Sequence, residues 1–269
     1  TLDTVSLDQL LNFFTSIFLM QRESITRLKI SLSKIRFYNC YKDSGLNFPK
    51  SYYFNTKTDS KLDFNLKMPI ILKPANVVMY NHIDFPSKKK IYKIYNNEEL
   101  NQVILDIKRA GYEDDLVIQE YIDGDDSHLF DCVVYVDSKC KVKIQSFAQI
   151  GLQEYAPNMI GNAAVVINGI NTFKTSTNEI CESIRNFMEK IGYRGFAEVD
   201  LKYDESDGKF KVLEINARQG RCSYYITQCG FNLVKCLVDD LIYNKPYDFE
   251  FLSEQVMLSF VDYSIIKIK

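Results

Sequence analysis

Tryptophan is absent from the 269 residues, and histidine occurs only twice. So little histidine argues against a His-centred hydrolase, and no G-x-S-x-G turn is present to hold a nucleophilic serine. The seven cysteines are an odd number, scattered, with no C-x-x-C pair among them. Cys222, Cys229 and Cys236 are evenly spaced, but with two histidines in the chain they are not read as a zinc site. They are read as reduced, mostly buried thiols of a cytoplasmic protein. A basic surplus is missing too: 33 Lys and Arg against 35 Asp and Glu leave a net charge of −2. Proteins that bind nucleic acid or lie on membranes usually carry the opposite balance, so neither partner is expected. The longest apolar run, over residues 10–20, is too short to span a bilayer. It follows Asp3 and Asp8 rather than basic residues, which is not the pattern of a signal peptide. Repeats and low-complexity linkers are also lacking.

Hydrophobic residues make up 46% of the chain, enough for a sizeable core in one large domain or two smaller ones. Ser6 to Gln9 reads as a capping box that opens an amphipathic helix with Leu7, Leu10, Leu11, Phe14 and Phe18 on one stripe. A second helix is expected over 32–44, ending at Gly45. Strands are expected at 51–54, 68–73 and 91–95, then a helix over 98–110 with Asn97 as its cap and Gly111 past its end. The middle reads as strands 116–122, 130–136 and 141–152. A helix over 178–191, closed by Gly192, precedes strands 195–203 and 209–216, and a last helix covers 232–243. Mixed helices and largely antiparallel strands make the fold class α+β.

The strongest chemical signal lies in "GFAEVDLKYD" and "KVLEINARQG". Ala197, Val199 and Leu201 share one face of the first strand, which leaves Glu198 and Asp200 on the other. A three-residue loop, 206–208, would put Glu205 opposite Lys209, Asp200 opposite Glu214 and Glu198 opposite Asn216. Facing carboxylates repel, so a cation is expected between them, and an oxygen-only ligand set favours Mg²⁺. The competing reading is a solvated strand face whose acids meet nearby Lys or Arg. Lys73, at the end of "PIILKP", Lys34, at the start of a helix, and "IQEYIDGDD" each mean little alone.

Together these stretches, from Lys34 to Tyr243, resemble the ATP-grasp superfamily. The lysine before "GLNFP", the "ILKPA" strand, "IQEYIDGDD" and the pair "FAEVDL" and "VLEINAR" occur in that family's order. Within it, "EINARQGRCSYYITQCGFNL" and "KPANVVMYNHIDFPSKKKIYKI" look most like the carboxylate–amine ligases of the D-aspartate ligase type.

The resemblance implies an ATP-grasp fold, two α+β subdomains clasping the nucleotide. A helical remnant at 1–33 would be followed by subdomains at 34–122 and 123–269, with the N-terminal pre-ATP-grasp domain largely absent. It implies that Lys34 and Lys73 contact ATP phosphates, that Glu120 and the backbone of Tyr121 and Ile122 hold adenine, and that Asp125 or Asp126 reaches the ribose. Asp200, Glu214 and Asn216 would hold Mg²⁺, two ions being expected, and Arg218 would stabilise charge on an acyl phosphate and its adduct. The implied activity joins a small carboxylate to an amine, adding D-aspartate or another amino acid to a peptidoglycan precursor in the narrower reading. The alternatives are an ATP-grasp ligase for another carboxylate and a nucleotide-binding module without turnover. The family's glycine-rich phosphate loop has no counterpart, because residues 74–110 contain no glycine; Lys89, Lys90 or Lys93 would substitute, unless they only decorate a solvated hairpin.

Overall fold

A computed structural model describes residues 38, 40–155, 161–173, 175 and 177–260. The helices expected over 1–33, and Lys34, lie outside the described residues. The first sheet is antiparallel and contains β1 (Ser51–Asn55), β2 (Ile70–Pro74), β3 (Tyr92–Ile94) and β4 (Asp115–Glu120), in the order β1-β4-β2-β3. Alternation divides its residues between two faces. Ile70, Leu72, Ile94, Leu116 and Ile118 join one core with Leu100, Ile104 and Ile107 of α2 (Asn97–Arg109), whose spacing of four and three makes a single stripe. On the opposite face, register places Lys73 beside Val117, and Ile71 beside both Gln119 and Lys93.

Asn96, not Asn97, caps α2: its side chain accepts from the Glu99 amide, and Glu99 accepts in return from the Tyr95 amide. That reciprocal pair is what selects one of two adjacent asparagines. Within the glycine-free stretch the chain forms a short helix, α1 (Val77–Asn81), then a loop that carries Lys89 and Lys90, and returns as β3, which carries Lys93 and pairs antiparallel with β2.

The second sheet has eight strands: β5 (Leu129–Val136), β6 (Val142–Ser146), β7 (Ala148–Gln153), β8 (Ala163–Asn168), β9 (Gly195–Asp204), β10 (Lys209–Asn216), β11 (Glu250–Leu252) and β12 (Val256–Ser259). Its main path runs β10-β9-β5-β7-β8-β12, while β6 pairs with β5 and takes β11 in parallel. The single strand expected over 141–152 is therefore two. The break falls at Phe147, whose buried ring stacks on Phe130 at 5.1 Å, and the chain changes pairing there. β8 is flanked on both sides by partner strands, β7 and β12.

Both faces of this sheet are covered. Cys132, Val134, Ala197, Val199, Leu201 and Ile215 pack against α3 (Asn178–Lys190) through Ile180, Ile184, Phe187 and Met188. Val133, Tyr135, Phe196 and Ile150 pack against α4 (Tyr225–Gln228) and α5 (Leu233–Leu241). Among the described residues no helix is long and apolar enough to cross a membrane.

Buried Asp239 ties α5 to the chain that follows it. Its carboxylate accepts from Lys235 at 2.5 Å, from the Tyr247 hydroxyl at 2.5 Å and from Lys245 at 3.1 Å. The Lys235 ammonium foremost, then Tyr247, lowers its carboxyl from 3.8 to about 2. A folded value below the unfolded one adds stability that is complete above the unfolded pKa and disappears as pH falls from about 4 to about 2. Asp239→Asn is expected to lower stability at neutral pH and to flatten the acid limb of a urea-denaturation series. Identical acid limbs in the two proteins would remove Asp239 from that role.

Candidate active site

The site grows from the β9–β10 hairpin. Asp204 pairs with Lys209 across a four-residue turn, 205–208, so Glu205 does not face Lys209 as a three-residue loop would require. Asp204 makes the longer turn. Its side chain accepts from the Ser206 amide at 3.0 Å and hydroxyl at 2.6 Å, and its carbonyl accepts from the Gly208 amide at 2.8 Å. Gly208 takes the left-handed conformation, φ +68°. Continued unchanged, this register would set Leu213 against Asp200 and turn Glu214 to the other face. A β-bulge between Val212 and Glu214 corrects it, and beyond the bulge Glu214 faces Asp200 and Asn216 faces Glu198.

Contacts from distant chain hold the bulge. The Tyr38 hydroxyl donates to the Leu213 carbonyl at 2.6 Å, and the Val212 amide donates to the Asn47 carbonyl at 2.7 Å. Burial foremost pushes the Tyr38 phenol up to about 12, so it remains a donor at neutral pH. The Gln119 amide reaches the Tyr38 oxygen at 3.4 Å and the Ser51 hydroxyl at 2.8 Å, and its carbonyl accepts from Lys73 at 3.0 Å. A chain of polar contacts thus runs from Lys73 of the first sheet to the bulge of the second.

Register across β5 extends the acidic face. Asp131 faces Asp200, and Val133 faces Glu198, so Asp131, Asp200 and Glu214 form one row across three strands. The Asn216 amide donates to Asp200 at 3.1 Å. Asp131 is 2% exposed; burial foremost, then Glu198 and Asp200, raises its carboxyl well above the ordinary range. Sequence reading passed over Asp131, although an acid inside the otherwise apolar "LFDCVVYV" was the available signal.

Glu198 is 5% exposed and anchors the turn after β10. It accepts from the Cys222 thiol at 3.0 Å and from Arg218 at 3.4 Å. Arg218 also donates to the Gln219 carbonyl at 3.3 Å. Arg221 pairs instead with Glu154 at 2.6 Å.

A basic group gathers at Tyr121, with one lysine from each sheet. The Lys93 ammonium sits 3.7 Å from the centre of the Tyr121 ring, and the Lys202 ammonium sits 5.4 Å from it. Lys202 donates to the Gly124 carbonyl at 3.0 Å, and burial lowers its pKa. Glu120 exchanges two contacts with Lys50: its carboxylate accepts from the Lys50 amide, and its own amide donates to the Lys50 carbonyl, both at 2.9 Å. Ile122 is buried. Asp125 caps the short turn at Asp126–His128, and its hydrogen bond from Ser127 foremost lowers its carboxyl. Asp126 accepts from the Gln153 amide at 2.8 Å and from the Tyr155 hydroxyl at 2.9 Å. Both acids assigned to the ribose thus have structural partners within the chain.

The two-sheet architecture is that of the ATP-grasp class, as comparison with solved structures shows. An N5-carboxyaminoimidazole synthetase from Staphylococcus aureus, complexed with ADP, superposes with TM-score 0.60 at 14% identity, covering 84% of this chain and 55% of that one. An L-amino acid ligase from Bacillus licheniformis gives TM-score 0.57 at 19% identity, covering 81% and 49%. The family described as the D-Ala–D-Ala ligase C-terminus matches residues 42–232, and the chain belongs to that family. A D-aspartate ligase from Enterococcus faecium is 34% identical over 222 residues, 80% of this chain and 51% of the relative. The chain spans about half the length of the curated relatives it matches.

Gly220 is where the turn approaches Glu198 most closely: a Cβ built there would lie 1.8 Å from the Glu198 carboxylate. Gly220→Ala therefore forces the buried carboxylate aside, at a cost of about 1–3 kcal/mol. Denaturant titration is expected to show that loss; wild-type stability would mean that Glu198 moves freely.

Proposed function

We propose that this chain is the ATP- and Mg²⁺-binding part of a carboxylate–amine ligase that forms an amide bond by way of an acyl phosphate. The observation that carries this reading is the bulged hairpin that sets Asp200, Glu214 and Asn216 side by side. Their oxygen-only donor set suits Mg²⁺, and the mutual repulsion of two carboxylates is the kind that a divalent cation relieves. Bound there, Mg²⁺ ions, two in this reading, would neutralise phosphate charge.

The chain's own residues supply the positioning. Lys73, held by Gln119, together with Lys34 and Lys93, takes the phosphates. Tyr121 and Ile122 offer backbone to adenine beside Glu120, and Asp125 and Asp126 border the ribose. Arg218, braced by Glu198, faces charge that grows on the reacting acyl group. Such chemistry needs placement and electrostatics rather than a protein nucleophile. The 34% identity to a D-aspartate ligase supports an amino acid as one substrate; a peptidoglycan precursor as the other, in the cytoplasm, belongs to the same proposal. A second reading, binding of nucleotide without turnover, is favoured by the glycine-free segment at 74–110.

The test is release of ADP and phosphate from the intact protein, which must depend on Mg²⁺, a carboxylic acid and an amine together. MgATP binding without such release would favour the second reading. At roughly 100 times Kd, MgATP is expected to add about 2.7 kcal/mol to the unfolding free energy, read as a higher Tm; no shift at millimolar MgATP counts against both readings. Glu214→Gln is expected to keep the fold, with apo stability equal to or above wild type, while losing Mg²⁺-dependent turnover. Full turnover in this variant would remove Glu214 from the metal set. Lys73→Ala is expected to weaken ATP binding far more than Lys57→Ala, since Lys57 forms only an exposed pair with Glu113. Equal affinities would take Lys73 out of the site.

A further inference from the structure

Two of the acids are left over once Asp200, Glu214 and Asn216 are assigned. Asp131 and Glu198 are both buried, and the Cys222 thiol meets both, at 3.6 Å from Asp131 Oδ2 and 3.0 Å from Glu198 Oε1. One ligand atom from each of the three lies within 4.8 Å of the others. Proximity of acids is not by itself a site, but Asp131 adds an independent feature. Its Oδ1 is fully buried and has no hydrogen-bond partner among the described residues. Buried carboxylate oxygens are ordinarily satisfied, because leaving one unpaired forfeits its hydration for nothing. Among the described residues no Lys, Arg or His pairs with Asp131, and Arg218 reaches only Glu198, at 3.4 Å.

The donor types narrow what would fit. Mg²⁺ and Ca²⁺ take oxygen ligands, whereas Zn²⁺ accepts cysteine sulfur alongside carboxylate oxygen and favours four-coordination. We propose that Asp131, Glu198 and Cys222 form a second divalent-cation site of the Zn²⁺ type, separate from the oxygen-only set. On binding, the Cys222 S–H bond breaks, its proton passes to solvent, and the sulfur binds the metal. Three protein ligands leave a fourth position for solvent or a substrate atom. Asp131 lies on β5, Glu198 on β9 and Cys222 in the turn after Arg218. The ion therefore staples the Arg218 turn to the two central strands. The evenly spaced Cys222, Cys229 and Cys236 are not the ligand set; Cys229 and Cys236 stay in the apolar core under α4 and α5.

Co²⁺ reports the site because thiolate ligation adds a charge-transfer band in the near ultraviolet. The intact protein, titrated with Co²⁺ in excess Mg²⁺, is expected to develop that band at one equivalent and to lose it on adding Zn²⁺. Glu214→Gln is expected to retain the band, Cys222→Ser to abolish it, and Asp131→Asn to weaken Co²⁺ binding roughly tenfold or more. In the wild type, Zn²⁺ is expected to protect Cys222 from alkylation, mapped by mass spectrometry, a readout that stands even if Cys222→Ser fails to fold. Overturning results are the absence of a band, a band that survives Cys222→Ser, affinity unchanged by Asp131→Asn, or alkylation of Cys222 unaffected by Zn²⁺.

Discussion

One extra residue in β10 decides which way the acids point. Side chains along a strand alternate, so a register error of one would send Glu214 to the α3 side of the sheet. The turn alone produces that error, because the Asp204-centred loop pairs Asp204 with Lys209. Only the bulge at Leu213 reverses it, and the bulge is stabilised by a phenol and a carbonyl from residues far earlier in the chain. Acid placement is thus a tertiary property, set where the two sheets meet rather than within the hairpin.

The same junction couples the two sheets. Lys73 touches Gln119, Gln119 touches Tyr38, and Tyr38 touches the bulged carbonyl. A displacement of the lysine-bearing sheet would be felt one residue away from Glu214. On the acidic side, Asp131, Asp200 and Glu214 occupy three hydrogen-bonded strands and cannot separate without breaking the ladder. Their repulsion is held by backbone, which leaves an attraction for cations that flexible side chains would relax away.

Much of this was legible because it obeys local rules. Alternation in 195–203 and 209–216 identified both strands; the expected facing of Glu205 with Lys209 fails, while that of Asp200 with Glu214 and of Glu198 with Asn216 holds in the structure. It holds for a reason that the sequence does not display: Tyr38 lies 175 residues from Leu213, so nothing near the hairpin announces the bulge. The choice of Asn96 over Asn97 depended on a reciprocal contact with Glu99 that both positions mimic at the level of composition. The break at Phe147 was hidden because an aromatic fits an uninterrupted strand equally well; its stacking on Phe130 is what turns the chain. Asp131 was passed over because attention to acids went to pairs, while its neighbours in sequence are apolar and its partners come from other strands.

The position of β10 at the sheet's margin gives the bulge a second effect. A marginal strand offers unpaired amides and carbonyls to any passing chain, and flat ones seed aggregation. Here the Val212 amide is occupied by Asn47 and the Leu213 carbonyl by Tyr38, and the inserted residue twists the strand out of the plane another molecule would need. The margin that carries the acids thus has two of its backbone groups occupied from within the chain, beside the edge lysines Lys209 and Lys211. The alignment of the acids and the occupancy of this edge then depend on the same two contacts, so loosening either would expose edge backbone as well as disturb geometry.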